Sequence, residues 1–253
     1  MKGYGNMTYF NRMEIRGKSY FINRTVNFKP IKVFSPQSVE RVFDFAYDMT
    51  FGCQGEHRDH RSGGGRRRHK GEIFANTFQG KLAECALYIE LHTKANVSVP
   101  DFNTYGLGAW DTVDLLIDDY KLSIKSTKSF GNLLLLETYD WDNRGRYIPN
   151  NQAYDFTFLV RLNPYCEDIF RNHRILYSDS ADYQTLKEFV RNINWEYDIP
   201  GFITSDELQF VINNNYIIPK NALLNGKMPM DAENYYVQAG DMHSLDEIIG
   251  FLR

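Results

Sequence analysis

Three polar side chains of chemically useful types lie within a stretch that alternates like a β-hairpin. If Asp119-Tyr120 is the two-residue turn, Asp114 lies directly across from Lys125, with Cβ atoms about 5 Å apart. Because side chains alternate along a strand, Ser123 shares the face of Lys125, while leucine and isoleucine side chains point to the opposite face. An acid, a hydroxyl and a lysine on one face are typical of metal-dependent phosphodiester hydrolysis.

An ordinary cross-strand charge pair would give the same pattern, and the hairpin alone does not separate the two interpretations. Three neighbouring features favour a site. The approach over residues 99–108 is rich in turn residues. The second strand continues as a polar, basic segment over residues 126–129. A third apolar strand, residues 133–136, is predicted to be buried on both sides and ends at a carboxylate, Glu137.

The pattern resembles the PD-(D/E)xK nuclease superfamily, and within it the Type II restriction endonucleases. That family has an Asp at the start of one strand and (Asp/Glu)-x-Lys on the next, often with a Glu on a preceding helix. Asp114 and Lys125 match the Asp and the Lys, and Glu84 matches the helix Glu. Ser123 departs from the usual acid. The resemblance covers residues 79–137.

A subset of restriction enzymes, similar to those that cut CCGG-containing sites, also has Ser-x-Lys. These enzymes take the missing carboxylate from a Glu further along the chain than the lysine, and Glu137 lies near that spacing. The second metal-binding carboxylate therefore stays open between Glu84 and Glu137.

The resemblance implies an α/β fold with a restriction-endonuclease-like mixed central sheet flanked by helices. It also implies Mg²⁺, double-stranded DNA as substrate and a homodimer. Mg²⁺ prefers oxygen ligands, and Asp114 with Glu84 or Glu137 would supply them. Lys125 would hold or help deprotonate the attacking water and neutralise the scissile phosphate. Ser123 would orient a water, although a hydroxyl does not replace a charge.

Charge is concentrated over residues 56–70, which contain six basic side chains and three of the six histidines. The segment precedes the Glu84 helix, so we expect it to lie near the DNA. Arginine forms bidentate hydrogen bonds with guanine and with phosphates, so we expect this segment to contact the DNA. A solvated flexible loop is the alternative. The predicted DNA contacts, with one lysine from the second strand, are Arg58, Arg61, Arg66, Arg67, Arg68, Lys70 and Lys128.

A zinc site made of Cys53, His57, His60 and His69 is set aside, because no Cys-x-x-Cys pair is present and glycines interrupt the spacing. The three cysteines are widely spaced and indicate no disulfide framework. The net charge of −3 gives no global sign of nucleic-acid binding. No long apolar run or signal-peptide pattern occurs, which predicts a cytoplasmic protein without membrane contact.

The remaining elements read as the scaffold that must position these residues. Residues 1–194 are predicted to form a nuclease core with an N-terminal hairpin and helix, and residues 195–253 a C-terminal subdomain packed on it. The expected elements are a hairpin turning at Gly17-Lys18, a helix opened by Ser35-Pro36, a helix over residues 74–92, a strand over residues 154–162, and a helix that begins at a Thr204–Glu207 capping box.

The sequence thus favours a sequence-specific, Mg²⁺-dependent endonuclease. Another nuclease of the superfamily, such as a repair or junction-resolving enzyme, is the first alternative. A DNA-binding module on a degenerate nuclease fold is the second, with Ser123 marking lost catalysis. A metabolic enzyme with a coincidental Asp/Lys hairpin is the third.

Overall fold

A computed structural model describes residues 10–52, 68–103 and 113–252. The α-helices within these residues are α1 (Pro36–Met49), α2 (Lys70–Leu91), α3 (Cys166–Asn172), α4 (Tyr183–Arg191), α5 (Ser205–Asn213) and α6 (Ile248–Phe251). The strands within them are β1 (Glu14–Arg16), β2 (Ser19–Phe21), β3 (Lys32–Val33), β4 (Leu115–Ile117), β5 (Tyr120–Lys128), β6 (Leu133–Glu137), β7 (Arg146–Tyr147), β8 (Gln152–Ala153), β9 (Phe156–Asn163), β10 (Glu196–Thr204), β11 (Ile217–Ile218), β12 (Leu223–Leu224), β13 (Met228–Pro229) and β14 (Asn234–Gln238).

The largest sheet has five strands in the order β3-β10-β9-β5-β4. β5 and β9 run parallel, from Leu122 beside Phe156 to Lys128 beside Leu162, and the other neighbouring pairs are antiparallel. Parallel neighbours need a crossover connection, and residues 129–155 provide it, carrying β6, β7 and β8. A mixed sheet combined with helices confirms the predicted α/β class.

Helix α2 packs on one face of this sheet, and α1 packs on α2. α1 begins where the sequence predicts, because the Ser35 hydroxyl accepts a hydrogen bond from the Ser38 N–H (3.2 Å) and Pro36 occupies the first turn. Burying one large apolar side chain contributes about 1.5–3 kcal/mol, so the shared core holds α2 firmly against the sheet. Large buried members of that core are Phe43, Phe74, Phe78, Phe156, Phe158, Trp195 and Tyr197.

The opposite face of the sheet is polar at its centre. Arg161 of β9 is fully buried, and its Nε donates to Asp198 Oδ1 of β10 (2.7 Å). The same guanidinium donates to the carbonyls of Val26 (2.7 Å) and Asn27 (3.2 Å). The Lys29 N–H donates to the other oxygen of Asp198 (3.0 Å). This buried ion pair fastens an N-terminal segment across the sheet.

A second core forms around the three-stranded sheet β11-β14-β6. β6 is the apolar strand predicted near residues 133–136, and it pairs with β14 from Leu133 beside Gln238 to Glu137 beside Asn234. α5 packs on this core and begins at the predicted capping box, in which Thr204 and Glu207 each accept a hydrogen bond from the other's backbone N–H.

The N-terminal hairpin turns at Gly17, whose φ of 60° suits glycine, as predicted. Its second strand, β2, pairs in parallel with β12, so Ser19 lies beside Leu223. The predicted domain boundary after residue 194 falls just before β10, a strand of the five-stranded sheet, and the two-domain division stays a prediction. Among the described residues, no helix combines the length and apolar character needed to cross a bilayer.

Candidate active site

The β4–β5 hairpin has a different register from the one that the sequence predicts. Leu115 lies opposite Leu122. Continued by one pair, this register places Asp114 opposite Ser123. The predicted direct pairing of Asp114 with Lys125 is therefore wrong, by two residues along one strand.

The turn of this hairpin consists of Asp118-Asp119 rather than Asp119-Tyr120. Asp118 adopts a left-handed φ of 50°, which aspartate tolerates better than most residues. Tyr120 belongs to β5 instead, and its ring packs 5.5 Å from that of Phe156. Because the side-chain period of a strand is two, a two-residue shift leaves every side chain on its predicted face. The acid, the hydroxyl and the lysine still share one face.

The geometry of these side chains is well defined. Asp114 Oδ2 accepts a hydrogen bond from the Ile124 N–H (2.6 Å), which fixes the carboxylate against β5. Ser123 is 1% exposed and lies beside the buried Thr157 of β9. Lys125 is the next residue along this face, at the diagonal position from Asp114, where Cα atoms are about 7–8 Å apart. The three residues gather beside β4, the edge strand.

Glu84 lies on α2 and forms an ion pair with Lys81 (Nζ–Oε2 2.5 Å), and both side chains are largely buried. Lys81 Nζ also donates to the Asp101 carbonyl (2.8 Å) and lies 4.8 Å from the centre of the Phe45 ring. The neighbouring Cys85 packs in the core, and burial raises the pKa of its thiol to about 12. Cys85 is therefore a packing residue and not a nucleophile.

The segment around Asp101, whose carbonyl accepts the hydrogen bond from Lys81, borders the outer edge of β4. The Ser98 N–H donates to the Leu116 carbonyl (2.8 Å), and Val97 forms a β-bridge with Ile117. Lys81 therefore links the Glu84 carboxylate to residues 97–101. This segment lies against β4, the strand that follows Asp114.

Glu137 ends β6, so it belongs to the three-stranded sheet and not to the sheet of Asp114. Across the described ranges, no three His, Cys, Asp or Glu side chains converge in a way that would hold a metal. Such a trio is not required for Mg²⁺, which keeps several waters and takes one or two protein carboxylates plus phosphate oxygens. Asp114 fits that requirement as a single carboxylate ligand.

Four of the predicted DNA contacts, Arg58, Arg61, Arg66 and Arg67, lie outside the described residues, as do Cys53, His57 and His60 of the rejected zinc site. Lys70 is the first residue of α2, directly after Arg68 and the N-cap His69. Asp179 contacts this helix start, because its carboxylate accepts the Lys70 N–H (3.1 Å) and lies 3.3 Å from His69 Nδ1.

Lys128 lies at the end of β5 remote from the turn of the hairpin. Its Nζ is 4.4 Å from the centre of the Phe130 ring and 5.8 Å from that of Tyr165. Phe130 is 66% exposed, so the lysine and the ring form one surface feature. The DNA contact predicted for Lys128 stays a prediction.

Sequence reasoning missed the β7–β8 hairpin as part of this site. Lys125 Nζ lies 5.6 Å from the centre of the Tyr147 ring, and Lys121 Nζ donates to Gln152 Oε1 (2.7 Å). Both lysines have odd numbers, as Ser123 does, so the hairpin borders the same face of β5. The spacing of the aromatic residues Trp141, Tyr147 and Tyr154 was the sequence signal that could have indicated this hairpin.

Fold and site together define a mixed α/β protein with an acid, a buried hydroxyl and a lysine on one face of a sheet edge. The chain has no significant match among protein-family models, curated proteins or solved structures.

Proposed function

We propose that this protein is a Mg²⁺-dependent endonuclease that hydrolyses double-stranded DNA at specific sequences, in the manner of a Type II restriction enzyme. The observation that supports this proposal is the grouping of Asp114, Ser123 and Lys125 on one face of the β4–β5 hairpin. The three side chains still share one face in the corrected register. That register places Asp114 opposite Ser123, the residue two before Lys125.

Each side chain would have one task. Asp114 already directs Oδ2 to the Ile124 N–H, so Oδ1 is the oxygen that would ligate the metal in a fixed orientation. Lys125 would hold a proton near the attacking water and offset the charge of the scissile phosphate. The buried Ser123 would maintain the spacing between them. Bound Mg²⁺ supplies a water of lowered pKa and stabilises the developing charge.

The second carboxylate stays open between Glu84 and Glu137. Glu84 connects through Lys81 to the segment beside β4, whereas Glu137 ends β6, within the crossover that follows β5. A metal-soaked crystal distinguishes them: density bonded to Asp114 and to only one of the two glutamates identifies the partner.

The first experiment incubates the purified protein with long duplex DNA in Mg²⁺ and in EDTA, followed by gel electrophoresis. Discrete bands that need Mg²⁺ are the expected result. A smear, or cleavage that depends on DNA structure, would favour a repair or junction-resolving enzyme. Intact DNA without binding would contradict the proposal and favour an unrelated metabolic enzyme.

Asp114→Asn is expected to abolish cleavage, because the amide oxygen still accepts the Ile124 N–H but no longer carries a charge for Mg²⁺. Lys125→Met is expected to slow cleavage about a hundredfold or more, the range for positioned proton-transfer groups. Asp119→Asn, an exposed aspartate in the turn of the same hairpin, is the matched control and should cut like wild type. Undiminished cutting by the Asp114 or Lys125 variant would overturn the site.

A second candidate is a DNA-binding module without catalysis. Ser123 favours it, because a buried hydroxyl stands where the superfamily usually has an acid. Tight DNA binding that is independent of metal, with no cleavage under any condition, would support this alternative. In either case a homodimer is the proposed assembly, since two-fold symmetric DNA suits a two-fold symmetric protein.

A further inference from the structure

Residues 138–154 form an arm that lies beside the candidate active site. The arm carries β7 and β8, paired so that Arg146 faces Ala153. Two lysines of β5 attach it to the sheet, through the hydrogen bond from Lys121 to Gln152 and the position of Lys125 over the Tyr147 ring. The arm is therefore attached at the same face of β5 as Ser123 and Lys125.

Internal contacts make this arm a fixed structure. Trp141, Tyr147 and Tyr154 pack ring against ring, with centroids between 5.3 Å and 6.3 Å apart. The Asp142 carboxylate accepts the backbone N–H groups of Arg146 (2.8 Å) and Arg144 (2.9 Å). These hydrogen bonds, that from Arg146 foremost, lower the pKa of the Asp142 carboxyl. The turn that presents both arginines is consequently held in one conformation.

The outer side of the arm is basic and partly apolar. Arg144 and Arg146 are exposed, and neither guanidinium forms an ion pair with any residue that the structure describes. Tyr139 is 82% exposed and Ile148 is 54% exposed. Two exposed arginines on one ordered turn, with an exposed aromatic ring nearby, are suited to binding the phosphates of a nucleic acid.

We propose that the 138–154 arm, whose Tyr147 ring lies against Lys125, binds the phosphate backbone of duplex DNA through Arg144 and Arg146 on its outer side. This inference rests on the proposed function, since it assigns a DNA contact to the same site. The arm would fix the position of the duplex on the protein, because phosphate contacts set register and orientation. Tyr139 and Ile148 would lie against the sugar and base edges next to those phosphates.

The test measures binding of a labelled duplex by fluorescence anisotropy in EDTA, over a series of salt concentrations. Arg144→Gln/Arg146→Gln is compared with wild type and with Lys220→Gln/Lys227→Gln, which removes two exposed charges from the β11–β13 region. The arginine pair should weaken binding about tenfold and reduce the salt slope by about 1.8 for each chain that contacts the duplex, two phosphates at about 0.9 each. The lysine pair should leave both quantities unchanged.

Each outcome decides a separate claim. Wild-type protein that binds no duplex would overturn the proposed function and the arm together. Wild-type binding with an unchanged slope in the arginine variant would overturn the arm alone. Equal losses in both double variants would also overturn it, because the effect would then follow total charge and not position. Thermal unfolding checks that both variants fold, which surface substitutions permit.

Discussion

The buried Glu207 carboxylate ties the start of α5 to His243. Its Oε2 accepts the Thr204 N–H (2.9 Å) and hydroxyl (3.2 Å), and its Oε1 lies 2.7 Å from His243 Nε2. His243 packs against the rings of Phe202 and Phe251. The hydrogen bond to Glu207 raises the pKa of His243 above its ordinary value of 6.5.

The raised pKa of His243 predicts how stability depends on pH. Folded His243 binds its proton more tightly than the unfolded chain does, so the contribution is complete below about pH 6.5 and is lost as the pH rises through the raised pKa. The urea midpoint should therefore decrease as the pH rises from about 6.5 through the raised pKa of His243. His243→Gln should flatten that decline. Urea unfolding of both proteins at each pH measures it.

His92 provides the control, because it is exposed at the end of α2 and its Nδ1 contacts the backbone carbonyls of Tyr88 (3.0 Å) and Ile89 (3.1 Å). His92→Gln should keep the wild-type decline. A His243→Gln protein that declines as steeply as wild type would contradict the role assigned to the His243–Glu207 pair.

At the scale of single residues, the sequence predicts which side chains share a face of the β4–β5 hairpin. It does not predict which residues lie opposite each other across that hairpin. The shared face of Asp114, Ser123 and Lys125 follows from strand periodicity alone. The turn position does not, because it depends on packing of Tyr120 against Phe156, a contact with a distant strand. Sequence spacing carries no information about that contact.

At the scale of elements, the existence of β6 was predictable and its partner was not. A run of four leucines ending at Glu137 indicates a buried strand. Its neighbour is β14, with Leu135 opposite Tyr236, far along the chain. Local pattern predicts strands, but pairing between remote strands is decided by the assembled core. For this reason the sheet that holds Glu137 could not be predicted.

The Arg161–Asp198 pair predicts a large loss of stability when only one partner is removed. Asp198→Ala leaves the fully buried Arg161 without its carboxylate and the Lys29 N–H without its acceptor. Breaking a buried pair in this way costs about 3–5 kcal/mol. Chemical denaturation, with the free energy of unfolding extrapolated to water, measures the loss.

The control for this variant is Glu14→Ala, which removes one partner of an exposed pair with Arg16. Water and salt screen exposed pairs, so Glu14→Ala should be nearly neutral. Similar losses in the two variants would show that the buried pair does not anchor the N-terminal segment.

For the whole molecule, the proposed homodimer predicts the mode of cutting. Two copies related by a two-fold axis present two active sites to both strands of a palindromic sequence. Sedimentation equilibrium should give twice the mass of the chain, and supercoiled plasmid should be converted to linear product in one encounter. A monomer that accumulates nicked circles would contradict the dimer while leaving the active site untouched.

The joining of early and late parts of the chain has a consequence for biosynthesis. The Asn11 N–H donates to Asp241, 230 residues further along, and Phe10 and Met13 are buried in the second core among side chains of residues 203–237. Contacts of such long sequence separation form slowly. On the ribosome, Phe10 and Met13 emerge long before residues 203–237, against which they pack. The nascent chain therefore exposes these apolar side chains until residues 203–237 have been made, the interval in which chaperone binding protects it from aggregation.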